Sequence, residues 1–207
     1  MLEGIHWLGH DSFRFDFNGK TIYLDPFNIS GNDRADLILI THEHYDHCSV
    51  KDILPLSDEN TVILITPDCQ SKLRDFKGKV VLVEPGKSYN VEGVVVETVP
   101  AYNIDKPFHP RENGWVGYIL NLGDRRVYHA GDTDKIPEMA SLKNIDVALI
   151  PVSGTYVMTA EEAAQAVSMF MPKIAVPMHY GSIVGKESDA ERFVRLSPVP
   201  SKVLEKE

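Results

Sequence analysis

The chain has 207 residues, of which 43% are hydrophobic and 25% charged, and a formal net charge of −9; this is the profile of a soluble globular protein. The acidic balance excludes a broad nucleic-acid surface, which needs clustered Lys and Arg, although a local dication could still draw an anionic small substrate. No apolar stretch approaches the ~18 residues of a membrane span, and the opening MLEGIHWLGHDSF has no basic segment followed by an apolar run, so neither a membrane nor a secretory leader is expected. Cys48 and Cys69 are too few for a disulfide framework and fit a reducing, cytoplasmic setting. The length suits one domain over 1–207, large enough to bury roughly 70% of its unfolded surface without covalent staples.

In chain order, a first strand carries His6 and Trp7, and SFRFDF (12–17) alternates aromatic and polar residues as a half-buried strand does. Asn18-Gly19 is a hairpin signal, so KTIYLD (20–25) is expected to pair antiparallel with it. DLILI (36–40), ended by Thr41, reads as a strand buried on both faces. TVILIT (61–66), KVVLVE (79–84) and VVVETV (94–99) are further strands. WVGYILNL (115–122) and RRVYHA (125–130) flank Gly123-Asp124 as a second hairpin, and DVALIPV (146–152) and KIAVPM (173–178) are late buried strands. The best helix is 160–170: Thr159 and Glu162 form a capping box, Ala163, Ala166, Val167 and Phe170 supply an apolar face, and Pro172 ends it. A second helix is expected over 188–196 with Ser188 as its cap, and shorter ones near 49–55, 68–75 and 134–140.

There is a faint internal echo. TIYLD ends at Asp25 and DLILIT follows after a short gap; RVYHAGD ends at Asp132 and DVALIPV follows after a similar one. Two related β-halves with helices outside would build a four-layer αββα sandwich, and chance similarity is the competing reading.

The densest chemistry is Thr41-His42-Glu43-His44-Tyr45-Asp46-His47, three histidines and one aspartate within six positions, directly after a buried strand. Strand ends are where ligands bind in α/β sheets. Imidazole is the commonest metal ligand at neutral pH, and carboxylate oxygen suits the same ions. Four such groups crowd a single small ion, whereas alternate residues can serve one ion and the remaining pair a second. The plainer reading, a polar loop that happens to hold histidines, leaves this density unexplained.

At this H-x-H-x-D-H motif the chain resembles the metallo-β-lactamase superfamily. LDP (24–26), AGDT (130–133) and PMHY (177–180) look like that family's other motifs, in matching order and spacing, so the resemblance extends over nearly the whole chain. GHDSFRF, LDP, AGDTD and MTAEEA look most like the small stand-alone hydrolases related to ascorbate-phosphate lactonase. The resemblance implies an α+β fold, a four-layer αββα sandwich with two mixed, largely antiparallel sheets and outer helices. It implies two divalent metal ions: His42 and His44 on the first, Asp46 and His47 on the second, Asp132 bridging and His179 completing the second. One more first-site ligand is expected from the middle of the chain, which reads VPAYNIDKPFHP. Asn103 stands where many relatives show His, and His109 follows six residues on. His109 is the candidate, because imidazole binds these metals far better than a neutral amide and Pro107 and Pro110 stiffen its loop. A site using Asn103, or a mononuclear site in which His109 meets substrate, are the alternatives.

Asp25 is expected to orient a ligand histidine, with a turn residue before Pro26 as the plain alternative. His10 sits at a turn that in the related hydrolases lies near the cleft, with a simple turn as the alternative; Tyr102, Tyr156 and Tyr180 each lie near a motif, where a phenol can stabilise an oxyanion, with ordinary core or rim packing as the plainer reading. His6 and His129 read as structural, and Cys48 as packing.

The chemistry implied is hydrolysis by a bridging hydroxide, whose ionisation two dications favour, with Asp46 and Asp132 as the catalytic carboxylates. Two dications, these two carboxylates and one hydroxide leave about +1, which would attract a small anionic ester, lactone or phosphodiester. Zinc is the default ion, and Mn2+ or Fe2+ suit the same donors. The competing class is a non-catalytic metal-binding or sensor protein that kept the ligand set. The oligomeric state is not readable from the sequence.

Overall fold

In the computed structural model, which describes residues 1–31 and 33–207, the alternating segments form two six-stranded sheets. The first contains β1 (Ile5–Gly9), β2 (Ser12–Phe17), β3 (Lys20–Leu24), β4 (Leu37–Leu39), β5 (Val62–Ile65) and β6 (Lys79–Leu82) in that spatial order. The second contains β7 (Ser88–Val91), β8 (Val94–Pro100), β9 (Val116–Leu122), β10 (Arg125–His129), β11 (Val147–Pro151) and β12 (Ile174–Met178), arranged from β12 at one edge to β7 at the other.

Strand alternation sorts side chains into layers. Phe13, Phe15, Ile22, Leu24, Leu37, Leu39, Val62 and Leu64 join Val96, Tyr118 and Leu120 of the second sheet in the core between the sheets. The intervening Tyr23, Ile38, Ile63 and Ile65 face outward onto Ile53 and Leu56 of α1 (Val50–Leu56). On the opposite side α2 (Ala160–Ser168) packs on β11 and α3 (Glu187–Leu196) on β12. The expected four layers are therefore present. No helix among the described residues is long and apolar enough to cross a membrane.

The internal echo is a repeat of topology. β1-β2-β3 are joined antiparallel and β3-β4-β5 parallel; β8-β9-β10 are joined antiparallel and β10-β11-β12 parallel. β6 and β7 extend the two sheets at their edges.

Several local expectations shift. α2 ends at Ser168, because Met171 takes the left-handed conformation (φ 46°) ahead of Pro172. Its capping box between Thr159 and Glu162 is present. α3 begins at Glu187, so Ser188 lies inside it rather than capping it; the Asp189 carboxylate accepts the Lys186 N–H at 2.8 Å and fixes an earlier start. The short helices expected over 68–75 and 134–140 are 3-10 turns at Pro67–Lys72 and Pro137–Ser141, each begun by proline. β7 was not anticipated: SYNV is largely exposed and polar, and it pairs through the left-handed Glu92-Gly93 turn.

One buried hydrogen bond links the sheets beside the histidine loop. The fully buried Tyr118 hydroxyl of β9 donates to the Ile40 carbonyl at 2.8 Å, just after β4. Tyr118→Phe leaves that carbonyl one donor short and is expected to cost about 1–2 kcal/mol, read as a lower urea midpoint with unchanged m-value.

Candidate metal centre

The loop that follows β4 is anchored by one carboxylate. Asp25, fully buried after β3, accepts the Thr41 N–H at 2.8 Å on Oδ1; its Oδ2 accepts the Thr41 hydroxyl at 2.6 Å and the His47 Nδ1–H at 2.7 Å. Because the Thr41 hydroxyl proton goes to Asp25, its oxygen accepts from His42 Nδ1–H at 2.9 Å. Both rings are thereby held in the tautomer that leaves Nε2 as a lone pair.

The same device recurs at the other histidines. His109 Nδ1–H donates to Asn103 Oδ1 at 2.9 Å, an oxygen that also accepts the His109 backbone N–H at 3.0 Å. Asn103 is itself held by its Nδ2 donating to the Tyr156 carbonyl at 3.0 Å. The amide therefore orients His109, and the imidazole Nε2 points onward. His179, at the end of β12, pairs Nδ1 with the Ser153 hydroxyl at 2.8 Å.

The freed atoms converge. His42 Nε2 and His44 Nδ1 stand 3.1 Å apart, and with His109 they form one group of donors. Asp132 Oδ2 is 3.1 Å from both His109 Nε2 and His179 Nε2, while its Oδ1 is 3.4 Å from His47 Nε2. Donors bound at about 2.0–2.1 Å to a tetrahedral ion lie about 3.3 Å from one another, so these spacings are those of atoms sharing a cation. His47 Nε2, His109 Nε2 and Asp132 Oδ1 are buried without a hydrogen-bond partner among the described residues, and buried polar atoms rarely go unpaired. A metal fits this arrangement.

The protonation tendencies divide the histidines into two groups. Burial pushes the imidazoles of His42, His44 and His10 down. For His47 and His179 burial acts in the same direction but is outweighed, mainly by Asp132 together with Asp25 and Asp11 respectively; His47 sits well above its usual range and His179 is pushed up to about 9. Burial would raise Asp46, but the His10 hydrogen bond and the nearby His47 bring it to about 2.

Not every expected residue faces the centre. His10 does: its Nε2–H donates to Asp46 Oδ2 at 3.0 Å. Tyr156 lines the cavity above it. Tyr102 does not; its hydroxyl donates to Glu138 at 2.9 Å and Arg111 covers its ring, and only its backbone contributes, binding Thr133 beside Asp132. Tyr180 stacks on Trp7. His129 is fully buried with Nε2–H donating to the Asp11 carbonyl at 2.9 Å and Nδ1 accepting from Gly131, and His6 bridges Asp16 and Glu207. Cys48 and Cys69 are buried and free.

Sequence reasoning missed three residues. Trp115 packs against the rings of His42, His44 and His109; Ser153 holds His179; and Asp11 is fully buried facing the histidines. Only Asp11 had a readable signal, an acidic residue directly after His10 in a turn. His10, Asp25 and His179 all adopt left-handed backbone (φ 52°, 44° and 60°), a conformation that His and Asp tolerate better than most. A cavity of about 220 Å³ opens above the centre, with Tyr45, Phe108, Tyr156 and Ile183 at its walls and His44, Asp132 and His179 below; no Lys or Arg lines it among the described residues.

Residues 4–179 match the family model of the beta-lactamase superfamily domain. A UPF0173 metal-dependent hydrolase of Methanopyrus kandleri is 32% identical, the match covering 92% of this chain and 90% of that protein. A crystal structure of a protein from Parabacteroides distasonis, assigned as a metal-dependent hydrolase, superposes with a TM-score of 0.86 at 36% identity, covering 98% of this chain and 93% of that one. A metallo hydrolase from Ignicoccus hospitalis shares the fold, with a TM-score of 0.79 at 24% identity and coverage of 98% and 94%. The chain belongs to the metallo-β-lactamase superfamily, and its relatives within it are the UPF0173 metal-dependent hydrolases.

Because Asn103 fixes the His109 ring, Asn103→Ala is expected to weaken divalent-metal affinity by about 10–100-fold, the usual cost of losing an orienting partner, while the fold is retained. Competition against a chromogenic chelator, with circular dichroism alongside, reads both.

Proposed function

We propose that the chain is a metal-dependent hydrolase with a dinuclear centre: His42, His44 and His109 hold the first ion, Asp46, His47 and His179 the second, and Asp132 bridges them. The observation that carries this reading is the convergence of buried donor atoms at ion-sharing distances around Asp132. Zinc suits the histidine-rich shell, and Mn2+ or Fe2+ suit the carboxylates. When bound, the ions supply a hydroxide at neutral pH and a Lewis acid for the scissile carbonyl or phosphoryl group.

The chain's own residues then do the following. Asp132 and Asp46 present their oxygens to the reacting centre, Asp46 held in place by His10 at 3.0 Å. Asp25, Asn103 and Ser153 fix the rings of His47, His109 and His179. Trp115 walls the histidines, and Tyr156 lines the cavity, where a phenol could donate to a substrate oxygen. The cavity of about 220 Å³ admits a small ester, lactone or phosphodiester. No Lys or Arg lines it among the described residues, so an anionic group on the substrate would be drawn to the bound ions rather than to a side-chain ammonium or guanidinium. The net charge of −9 keeps nucleic acid out of the partner list, and the free thiols Cys48 and Cys69 suit a cytoplasmic setting.

The test is hydrolysis of generic lactone, ester and phosphodiester substrates by chelator-stripped protein with and without added Zn2+ or Mn2+. Turnover is expected only with metal, falling at least about 1,000-fold in His44→Ala and Asp132→Ala, since each removes a group on which charge stabilisation depends. Full metal occupancy without turnover across the panel would instead establish a metal-binding or sensor protein.

A further inference from the structure

Among the described residues, Asp11 is the one carboxylate facing the centre that the dinuclear reading leaves without a role. It lies in the irregular turn between β1 and β2, where the ladder shifts register between Trp7 and Gly9. Its neighbours fix it: the Asp11 carbonyl accepts from His129 at 2.9 Å, and the next hydroxyl, Ser12, donates to the Asp25 carbonyl at 2.6 Å. The side chain is fully buried, and neither of its oxygens has a hydrogen-bond partner among the described residues.

What Asp11 faces makes this unusual. Its Oδ2 lies 3.5 Å from His47 Nε2, 3.8 Å from His179 Nε2 and 3.9 Å from His10 Nε2, and one donor atom from each of these four residues falls within 4.8 Å of the others. None of these separations is a hydrogen bond. His47 and His179 already use Nδ1 on Asp25 and Ser153, so with neutral rings their Nε2 atoms turn lone pairs toward the carboxylate. Lone pairs converging in a dry pocket call for a cation between them.

We propose that Asp11 is a ligand of the second metal position, making it a five-donor, oxygen-rich site selective for Mn2+ or Fe2+ beside a nitrogen-rich first position that takes Zn2+. The inference rests on the dinuclear reading. The second position then has oxygens from Asp11, Asp46 and Asp132 with nitrogens from His47 and His179, whereas the first has three imidazoles and the shared Asp132. Five donors exceed the four of a tetrahedral zinc site, and carboxylate oxygen moves preference toward manganese-like ions. Three carboxylates and a hydroxide bring two dications to about zero net charge, so the centre pulls less on an anionic substrate than a two-carboxylate count implies.

The experiment is equilibrium dialysis of stripped protein against Zn2+, Mn2+ and both, with metal analysis and Mn2+ electron paramagnetic resonance. Wild type is expected to bind two ions, and one Zn2+ with one Mn2+ from a mixture holding Mn2+ in large excess. Asp11→Ser should keep its Zn2+ while Mn2+ affinity falls at least about 100-fold, beyond the loss from an outer partner, and Asp11→Asn should fall between. Removing an unpaired buried carboxylate should leave the metal-free Asp11→Ser melting at or above wild type. Wild-type Mn2+ affinity in Asp11→Ser overturns the inference and leaves the dinuclear reading intact, and so does a metal-free variant melting well below wild type, which would show that protein contacts hold Asp11. A wild type that binds a single ion overturns both.

Discussion

The centre depends on the Asp25 carboxylate. Directly after β3, it touches the start of the histidine loop and a histidine ring at once, through Thr41 N–H, Thr41 hydroxyl and His47 Nδ1. A buried carboxylate is costly unless its oxygens are saturated, and here three donors saturate it. Their positions in turn fix the loop's trajectory and, through the Thr41 oxygen, the ring of His42. A metal site tolerates little error in donor position, and the fold would meet that demand with one satisfied charge placed beneath the candidate donors rather than among them.

The topological repeat explains why the donors come from such distant stretches. In both halves a hairpin feeds a parallel pair of strands, and the C-terminal ends of those strands lie at one edge of the sandwich. Asp25 and Asp132 follow corresponding strands, β3 and β10. The two acids have diverged in role: Asp25 is surrounded by donors, while Asp132 faces imidazoles with one oxygen left without a hydrogen bond. Open strand ends at the seam between halves are the general location for binding sites in such sheets.

This division sets what the sequence could reveal. The histidine loop, Asp132 and His179 were legible because ligand types clustered at strand ends leave a dense local pattern, and the core strands because burial on alternate residues has a fixed period. The choice between Asn103 and His109 was open in one dimension, since both residues fit the loop; the structure places Asn103 behind the ring and the ring toward Asp132. Trp115, Ser153 and the displaced Tyr102 were not legible, because packing partners separated by tens of residues carry no local signature. β7 and the start of α3 were missed for a related reason: an exposed polar strand and a cap supplied by Asp189 lack the hydrophobic periodicity that marks the other elements.

The distribution of burial also separates what is fixed from what is free to vary. His42, Asp132 and His179 closely follow buried strands, His109 lies in the loop after β8, and His42, His47, His109, Asp132 and His179 are all buried. The walls above them are loop side chains: Tyr45 is 66% exposed, and Phe108 and Ile183 are exposed as well. Side chains with so few neighbours can change at little cost to stability, whereas a donor buried among other polar groups cannot, because each replacement strands a partner. The interior is therefore the constrained part of this fold, and the rim of aromatic and aliphatic side chains above the histidines is the part free to vary.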